Sequence, residues 1–273
     1  MGLKEKKQRL VGVLQACDSL AVAFSGGVDS TFLLAVAKEV LGEKVLAVTA
    51  TSAIHSRTES LAAAEIARAL GVVHRVVPSR EMDLPEFVAN PSNRCYICKR
   101  HVMAEVVRIA AEMGIAHVAH GVNVDDLGDF RPGLKAAEEM GLLSPLVEAG
   151  LTKADIRVLS RRMGLTTWNK PSMACLASRI PYGTAITPEN LRMVEAAEDF
   201  LRGLGFAGCR VRHHGVVARI ELSQRDLKKA LTAPARTAIV RRLREIGFRY
   251  VTLDLEGYVM GSLNRAFEAG QGG

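Results

Sequence analysis

The 273-residue chain has no uninterrupted apolar run that approaches the ~18 residues a membrane helix requires. Its start, MGLKEKKQRL, is basic and polar with no apolar signal core behind it, so a cytoplasmic protein with no membrane partner is expected. Low-complexity tracts and internal repeats are missing as well. Cysteine is scarce and odd in number, Cys17, Cys95, Cys98, Cys175 and Cys209, which argues against a disulfide framework and for reduced thiols. The GxxxxGK[ST] phosphate loop of ordinary NTPases does not occur. What is present, 48% hydrophobic and 24% charged residues, is the composition of a folded globular chain long enough for one large domain or two ordinary ones.

The net charge of +7 is unevenly spread. Residues 1–200 balance 23 basic against 23 acidic side chains, whereas residues 201–273 hold 13 basic and 6 acidic and so carry the whole excess. A basic C-terminal part meets an anion (phosphate, carboxylate or nucleic acid) or is a soluble basic face, and charge alone leaves both open.

Apolar runs at Leu20–Phe24, Val45–Thr49, Val72–Val77 and Ala116–Ala119 alternate with helical patterns, notably TFLLAVAKEVLG, Ser56–Leu70 and Lys99–Met113. This order predicts βαβ units and an α/β fold with a parallel, doubly wound sheet. Thr152, with Asp155 three positions on, predicts a capped helix to about Met163. Trp168–Thr187 holds Pro171, Pro181 and Gly183 and predicts a long connector, after which Thr187 and Pro188 open another helix. Short strands around Arg210, Ala218–Leu222 and Tyr250–Leu253, with helical segments between, predict a smaller α+β domain. The expected division is 1–185 and 186–273.

The strongest local signal is SGGVDS, Ser25–Ser30, between the first strand and the first helix of the alternating pattern. Gly26 and Gly27 let the backbone approach a phosphate, and the free N–H groups of the following helix favour an anion. Ser25 and Ser30 add hydroxyls, and Asp29 can hold Mg²⁺; the bland alternative is a glycine turn capped by Asp29. Cys175 lies between Lys170 and Arg179, and nearby cations favour a nucleophilic thiolate. Cys95 and Cys98 form a lone CxxC, which cannot complete a four-thiolate site. Asp125, Asp126, Asp129 and Arg131 crowd the loop after the fourth strand, at the sheet edge where doubly wound folds bind ligands. Arg210 and Arg212 alternate on one strand and share a face suited to phosphate or carboxylate, or to solvent. His213 and His214 are adjacent in a strand, face opposite ways and do not act as a pair on one metal.

SGGVDS resembles the pyrophosphate loop of the PP-loop ATP pyrophosphatases, the adenine-nucleotide α-hydrolase-like, Rossmann-like superfamily that cleaves ATP between its α and β phosphates. Taken with NRCYICK, HGVNVDDLGDFRPG, KPSMACLASRIPYG and DLEGYVMGSLN in that order, the chain from about Val22 to Asn264 resembles the LarE family, ATP-dependent sulfur transferases of nickel-pincer nucleotide biosynthesis. The resemblance implies a small-molecule substrate, pyridinium-3,5-biscarboxylic acid mononucleotide, whose carboxylate is adenylated and then thiolated. It places the sulfur donor at Cys175, ATP on Ser25–Ser30, the nucleotide and substrate pocket at Asp125 and Arg131, and substrate contacts at Arg179, Arg210 and Arg212. Glu198 and Glu221 fall where related proteins bind a divalent metal, for which Mg²⁺ suits hard oxygen ligands. Some members spend the donor cysteine and keep dehydroalanine; others use three cysteines, here Cys95, Cys98 and Cys175, to hold a [4Fe–4S] cluster that carries sulfide. A homo-oligomer, such as a hexamer, and an active site at the domain junction are also implied, with no nucleic acid partner. Val259 stands where related sequences commonly carry arginine after the EGY tyrosine, which would leave the replacement to another side chain such as Arg265. A tRNA-thiolating enzyme, an ammonia-using synthetase of the NAD synthetase kind and a non-enzymatic nucleotide sensor are the alternatives.

Overall fold

Residues of the first strand divide their side chains between two cores, and this alternation fixes the layered architecture. The computed structural model describes residues 2–128, 132–171 and 174–259. It divides into two units, Met1–Phe87 with Asn93–Met173, and Val88–Ser92 with Ala174–Gly273.

In the first unit, α1 (Leu3–Gln15) precedes β1 (Leu20–Ala23), α2 (Val28–Leu41), β2 (Val45–Thr51), α3 (Arg57–Ala69) and β3 (Val73–Pro78). A one-turn helix α4 (Pro85–Val88) leads on to α5 (Arg94–Glu112), β4 (His117–His120), α6 (Pro132–Glu139), α7 (Pro145–Glu148) and α8 (Lys153–Arg162). The strands form one parallel sheet in the order β3-β2-β1-β4. Leu20 and Val22 of β1, with Val45 and Ala47 of β2, join Leu10, Phe32, Leu33 and Ile156 in one buried cluster. Ala21, Leu46 and Val48 point the other way, to Met103, Val106 and Ala110 of α5. Period-two alternation thus feeds a core on each face, as a doubly wound sheet requires. Thr152 caps α8 in both directions: its Oγ1 accepts from Asp155 N at 3.2 Å, and its own N–H donates to Asp155 Oδ2 at 3.1 Å.

In the second unit, α9 (Pro188–Gly203) is followed by β5 (Arg210–His214), β6 (Val217–Glu221), α10 (Gln224–Leu231), α11 (Ala233–Ile246) and β7 (Tyr250–Leu253). The strands form a mixed sheet in the order β5-β6-β7, antiparallel then parallel, covered by Leu201, Phe206, Leu243 and Phe248. The fold is α/β with a smaller α+β part, and the helices and strands expected around it are in place.

This second unit also takes in residues before the 185/186 boundary read from the sequence, and Asn90 is the reason. Asn90 is fully buried in the left-handed region, at φ 58°. Its Nδ2 donates to the carbonyls of Pro181 and Thr184, each at 2.8 Å, and its own carbonyl accepts from Gly183 N at 2.9 Å. Asparagine tolerates this backbone region, and its amide satisfies carbonyls that the proline-rich connector leaves without ladder partners. Replacing Asn90 with Ala should therefore cost ~3 kcal/mol, from orphaned buried carbonyls and an unfavourable φ. Urea denaturation of the variant checks this, and a loss below ~1 kcal/mol would be inconsistent with the role.

Candidate functional site

The loop after β1 is shaped by its own serines. Ser25 N donates to Ser30 Oγ at 3.3 Å, Gly27 N to Ser25 Oγ at 3.3 Å, and the two hydroxyls lie 3.0 Å apart. Gly26 sits at φ +66°, and a Cβ there would come within 3.0 Å of the Ala63 Cα. Opposite, a Cβ on Gly121 would fall 2.8 Å from Ser30 N, so the chain leaving β4 lies against the start of α2. Two glycines thus let three backbone segments close around a helix N-terminus, whose first-turn N–H groups have no helical acceptors. Ser25, Gly26, Gly27, Asp29 and Ser30, the residues expected to meet phosphate, lie together in this one loop and helix start.

Two lysines converge on it. Lys170 Nζ donates to Gly26 O at 2.9 Å, and Lys153 Nζ donates to Asp29 Oδ2 in a part-buried ion pair. The other oxygen, Asp29 Oδ1, is buried with no hydrogen-bond partner among the described residues. Burial raises the Asp29 carboxyl above its usual range, Lys153 opposes this, and Asp126 adds to it. A carboxylate held charged beside an ammonium, with one oxygen unspent, fits a hard divalent cation such as Mg²⁺. Lys153 was not among the residues singled out from the sequence, although a signal existed. It is the first residue of α8, where the helix dipole disfavours a cation, so its ammonium has to be held elsewhere.

Asp125 supports this arrangement from behind. Its Oδ2 accepts from Lys153 N at 2.8 Å, so it caps the helix that carries Lys153. Asp126 Oδ2 accepts from Asn123 N at 3.0 Å. Asp129 and Arg131 lie outside the described residues, as do residues 260–273 with Arg265. At the end of β4, His120 Nε2 and Ser144 Oγ are 2.9 Å apart, while His120 Nδ1 is buried without a partner among the described residues. Burial, with the Lys99 ammonium assisting, pushes the His120 imidazole down to about 3. Cys95 and Cys98 fall on the first two turns of α5, exposed and half-buried respectively. Among the described residues no group of three or more His, Cys, Asp or Glu is placed to hold a metal ion.

In the second unit, three residues expected to meet the substrate or a metal form pairs within the fold. Arg179 is 1% exposed and donates to both oxygens of Glu198, at 2.8 and 3.0 Å. It donates also to Ala174 O, Cys175 O and Ser178 Oγ, at 2.6, 3.0 and 3.0 Å. These donations shape the turn carrying Cys175. Glu198 in turn accepts from Val211 N at 3.0 Å, and Glu221 accepts from Arg212 at 2.7 Å and Arg219 at 3.2 Å. Both carboxylates are paired with guanidiniums inside the unit. Arg210 and Arg212 alternate along β5 as expected, Arg212 also donating to Ser178 O at 3.0 Å. His213 is buried against Phe248 and His214 is exposed, so the adjacent pair is split as expected.

Cysteine environments differ sharply. Burial pushes the Cys209 thiol up to about 12, and burial raises Cys17 as well. Cys95, Cys98 and Cys175 are the three with solvent access.

Residues 13–94 match the asparagine synthase family. The chain is 40% identical over 263 residues to the pyridinium-3,5-bisthiocarboxylic acid mononucleotide synthase of Lactiplantibacillus plantarum, covering 96% of this chain and 95% of that one. It is 42% identical to an uncharacterized protein of Synechocystis sp., over 96% of this chain and 98% of that one. A GMP synthase of Aeropyrum pernix is 29% identical over 68% of this chain and 40% of its own. Fold, glycine loop and these likenesses define an ATP-using PP-loop enzyme. Within that class the chain belongs to the LarE family of ATP-dependent sulfurtransferases.

The buried His120 carries a consequence for acid stability. An unfolded histidine titrates near 6.5, whereas the folded one stays neutral down to about 3. Between those values the unfolded chain binds the extra proton, so stability at this site is intact above 6.5 and falls as pH drops, by ~1.4 kcal/mol per pH unit. His120→Gln should flatten the acid limb of a urea-denaturation series by one proton; an unchanged limb would contradict the assignment.

Proposed function

We propose that this enzyme adenylates a carboxylate of pyridinium-3,5-biscarboxylic acid mononucleotide and converts it to the thiocarboxylate with sulfur delivered at Cys175. The observation that carries this reading is the 40% identity, across nearly the full length of both chains, to the synthase of Lactiplantibacillus plantarum. The phosphate cradle supports its first half and the half-exposed Cys175 its second.

In the first step a substrate carboxylate oxygen attacks the α-phosphorus of ATP, the bond to the bridging β-phosphate oxygen breaks, and pyrophosphate leaves. The first-turn N–H groups of α2 and the ammoniums of Lys153 and Lys170 stabilise the charge that gathers on the departing phosphates. Mg²⁺ bound at Asp29 would neutralise phosphate charge and orient the chain of phosphates. Lys153, held at Asp29, adds its positive charge beside the same loop. In the second step the Cys175 thiolate attacks the activated carbonyl carbon and AMP departs, leaving a thioester. Loss of the Cys175 α-proton and cleavage of its Cβ–Sγ bond then give dehydroalanine on the enzyme and thiocarboxylate on the nucleotide. The Arg179 donations to Cys175 O and Ala174 O hold the turn from which the thiol projects.

The LarE resemblance implies a second source of sulfur. A [4Fe–4S] cluster held by Cys95, Cys98 and Cys175 would supply an open iron site for exogenous sulfide. Intact-protein mass spectrometry before and after reaction with ATP and the mononucleotide separates the two: loss of one H₂S per chain marks a spent Cys175. Brown colour with bound iron after anaerobic purification, and no mass loss, marks the cluster. If Cys175→Ala thiolates the nucleotide as fast as the parent, delivery at this position is excluded. Lys153→Met should slow ATP-dependent pyrophosphate release ~100-fold, and the variant should melt below the parent because Asp29 loses its ammonium.

A further inference from the structure

Lys153, Arg157 and Arg161 stand four residues apart on α8 and so share one face of the helix. Each makes a different contact. Lys153 pairs with Asp29 at the glycine loop, and the Arg161 guanidinium lies 5.0 Å from the centre of the Trp168 ring. Arg157, between them, donates through Nη1 to Trp168 O at 3.1 Å and to Asn169 Oδ1 at 3.4 Å. Its Nη2 donates to Lys170 O at 3.0 Å. The chain returns along α8 because Gly164, at φ +70°, ends the helix, and Leu165 N donates to Ser160 O at 2.9 Å. A short turn, Thr166–Asn169, then delivers Lys170, whose Nζ donates to Gly26 O at 2.9 Å. Pro171 follows, and Lys170 is extended at φ −61° and ψ 131°, the region favoured for a residue before proline.

We infer that Arg157 is a positioning residue for the pyrophosphate part of ATP: its planar fork holds the Trp168 and Lys170 carbonyls and thereby sets where the Lys170 ammonium stands at the glycine loop. The inference rests on the reading above that Ser25–Ser30 holds ATP. A lysine head on a four-carbon stem is placed no better than the backbone that carries it, so a catalytically useful ammonium needs that backbone fixed. The segment before Pro171 is irregular and cannot fix itself through a ladder. A guanidinium presents its N–H groups in one rigid plane and can take two carbonyls at once, which an ammonium cannot do with the same precision. Closing the turn onto α8 is already served by Arg161 on the Trp168 ring, and the reach of Arg157 to Lys170 O goes beyond that need. Of the three N–H groups of Lys170, Gly26 O takes one, and the others meet phosphate oxygens when ATP is bound. One rigid helix thus places both ammoniums, Lys153 directly at Asp29 and Lys170 through Arg157 at Gly26, three positions apart in the loop.

The test titrates the full chain calorimetrically with ATP, and separately with AMP, in the presence of Mg²⁺, so the mononucleotide is not needed. Arg157→Met should weaken ATP binding about tenfold, the scale of one charge-assisted hydrogen bond, and leave AMP binding at the parent's value. Arg157→Lys should do the same, because the charge remains and the fork is lost. Should Arg157→Met not fold, Arg157→Lys, which keeps the stem, carries the same comparison. Arg161→Met, which touches only the ring, should bind ATP like the parent. Lys170→Met should also weaken ATP binding about tenfold, and adding an Arg157 substitution to it should change nothing further, since one residue acts through the other. Arg157 variants that bind ATP like the parent overturn the inference. So does a double variant weakened about a hundredfold, the product expected of independent sites. So does a loss of ATP and AMP binding together, because Arg157 then only supports the fold. A parent that binds no ATP instead overturns the reading beneath, and is told apart because the parent itself fails.

Discussion

The ion pair between Asp29 and Lys153 is the contact on which the nucleotide end of the molecule depends. It joins the first turn of α2 to the first residue of α8, two helix N-termini brought side by side at one edge of the parallel sheet. Each partner is placed against its local preference. The carboxyl is buried enough to be raised above its ordinary range, and the lysine stands at the end of a helix that repels cations. Such an arrangement persists because Asp125 and the Thr152–Asp155 cap hold α8 from behind, while Gly26 and Gly121 allow the surrounding backbone to close. Strain tolerated in the fold at a ligand-binding edge is a general mark of function.

A second principle governs the C-terminal unit, where arginine is used as scaffold. Arg179, Arg212 and Arg219 each meet a carboxylate, and Arg179 also gathers the carbonyls of the Cys175 turn. Buried guanidinium–carboxylate pairs of this kind add little net stability over an apolar core, but breaking one leaves a bare charge behind. They act here as rigid joints, fixing backbone where the connector has too many prolines and glycines to form a regular element.

Much of the fold and the loop was legible in the sequence, for identifiable reasons. Strand and helix alternation shows because each β-branched run from Leu20 to Ala119 is bounded by turn residues, and SGGVDS shows because closely spaced glycines have few other uses. The capping box at Thr152 was readable for the same local reason. What stayed hidden is partnership across distance. Arg179 and Glu198 are nineteen positions apart, and nothing in either residue type says that they pair with each other. Lys153 and Asp29 are likewise far apart in sequence, and neither residue type announces the pair. Asn90 acts through backbone geometry, a left-handed residue, which composition and spacing do not encode.

The sealed thiol of Cys209 has a consequence for a protein whose trade is sulfur. Burial, with the Glu198 carboxylate assisting, holds it as S–H above neutral pH, the less nucleophilic form. Cys17 is muted by the same means. Reactive sulfur is thus rationed to three positions out of five, and the core can carry cysteine as a small apolar filler without risk of acylating itself.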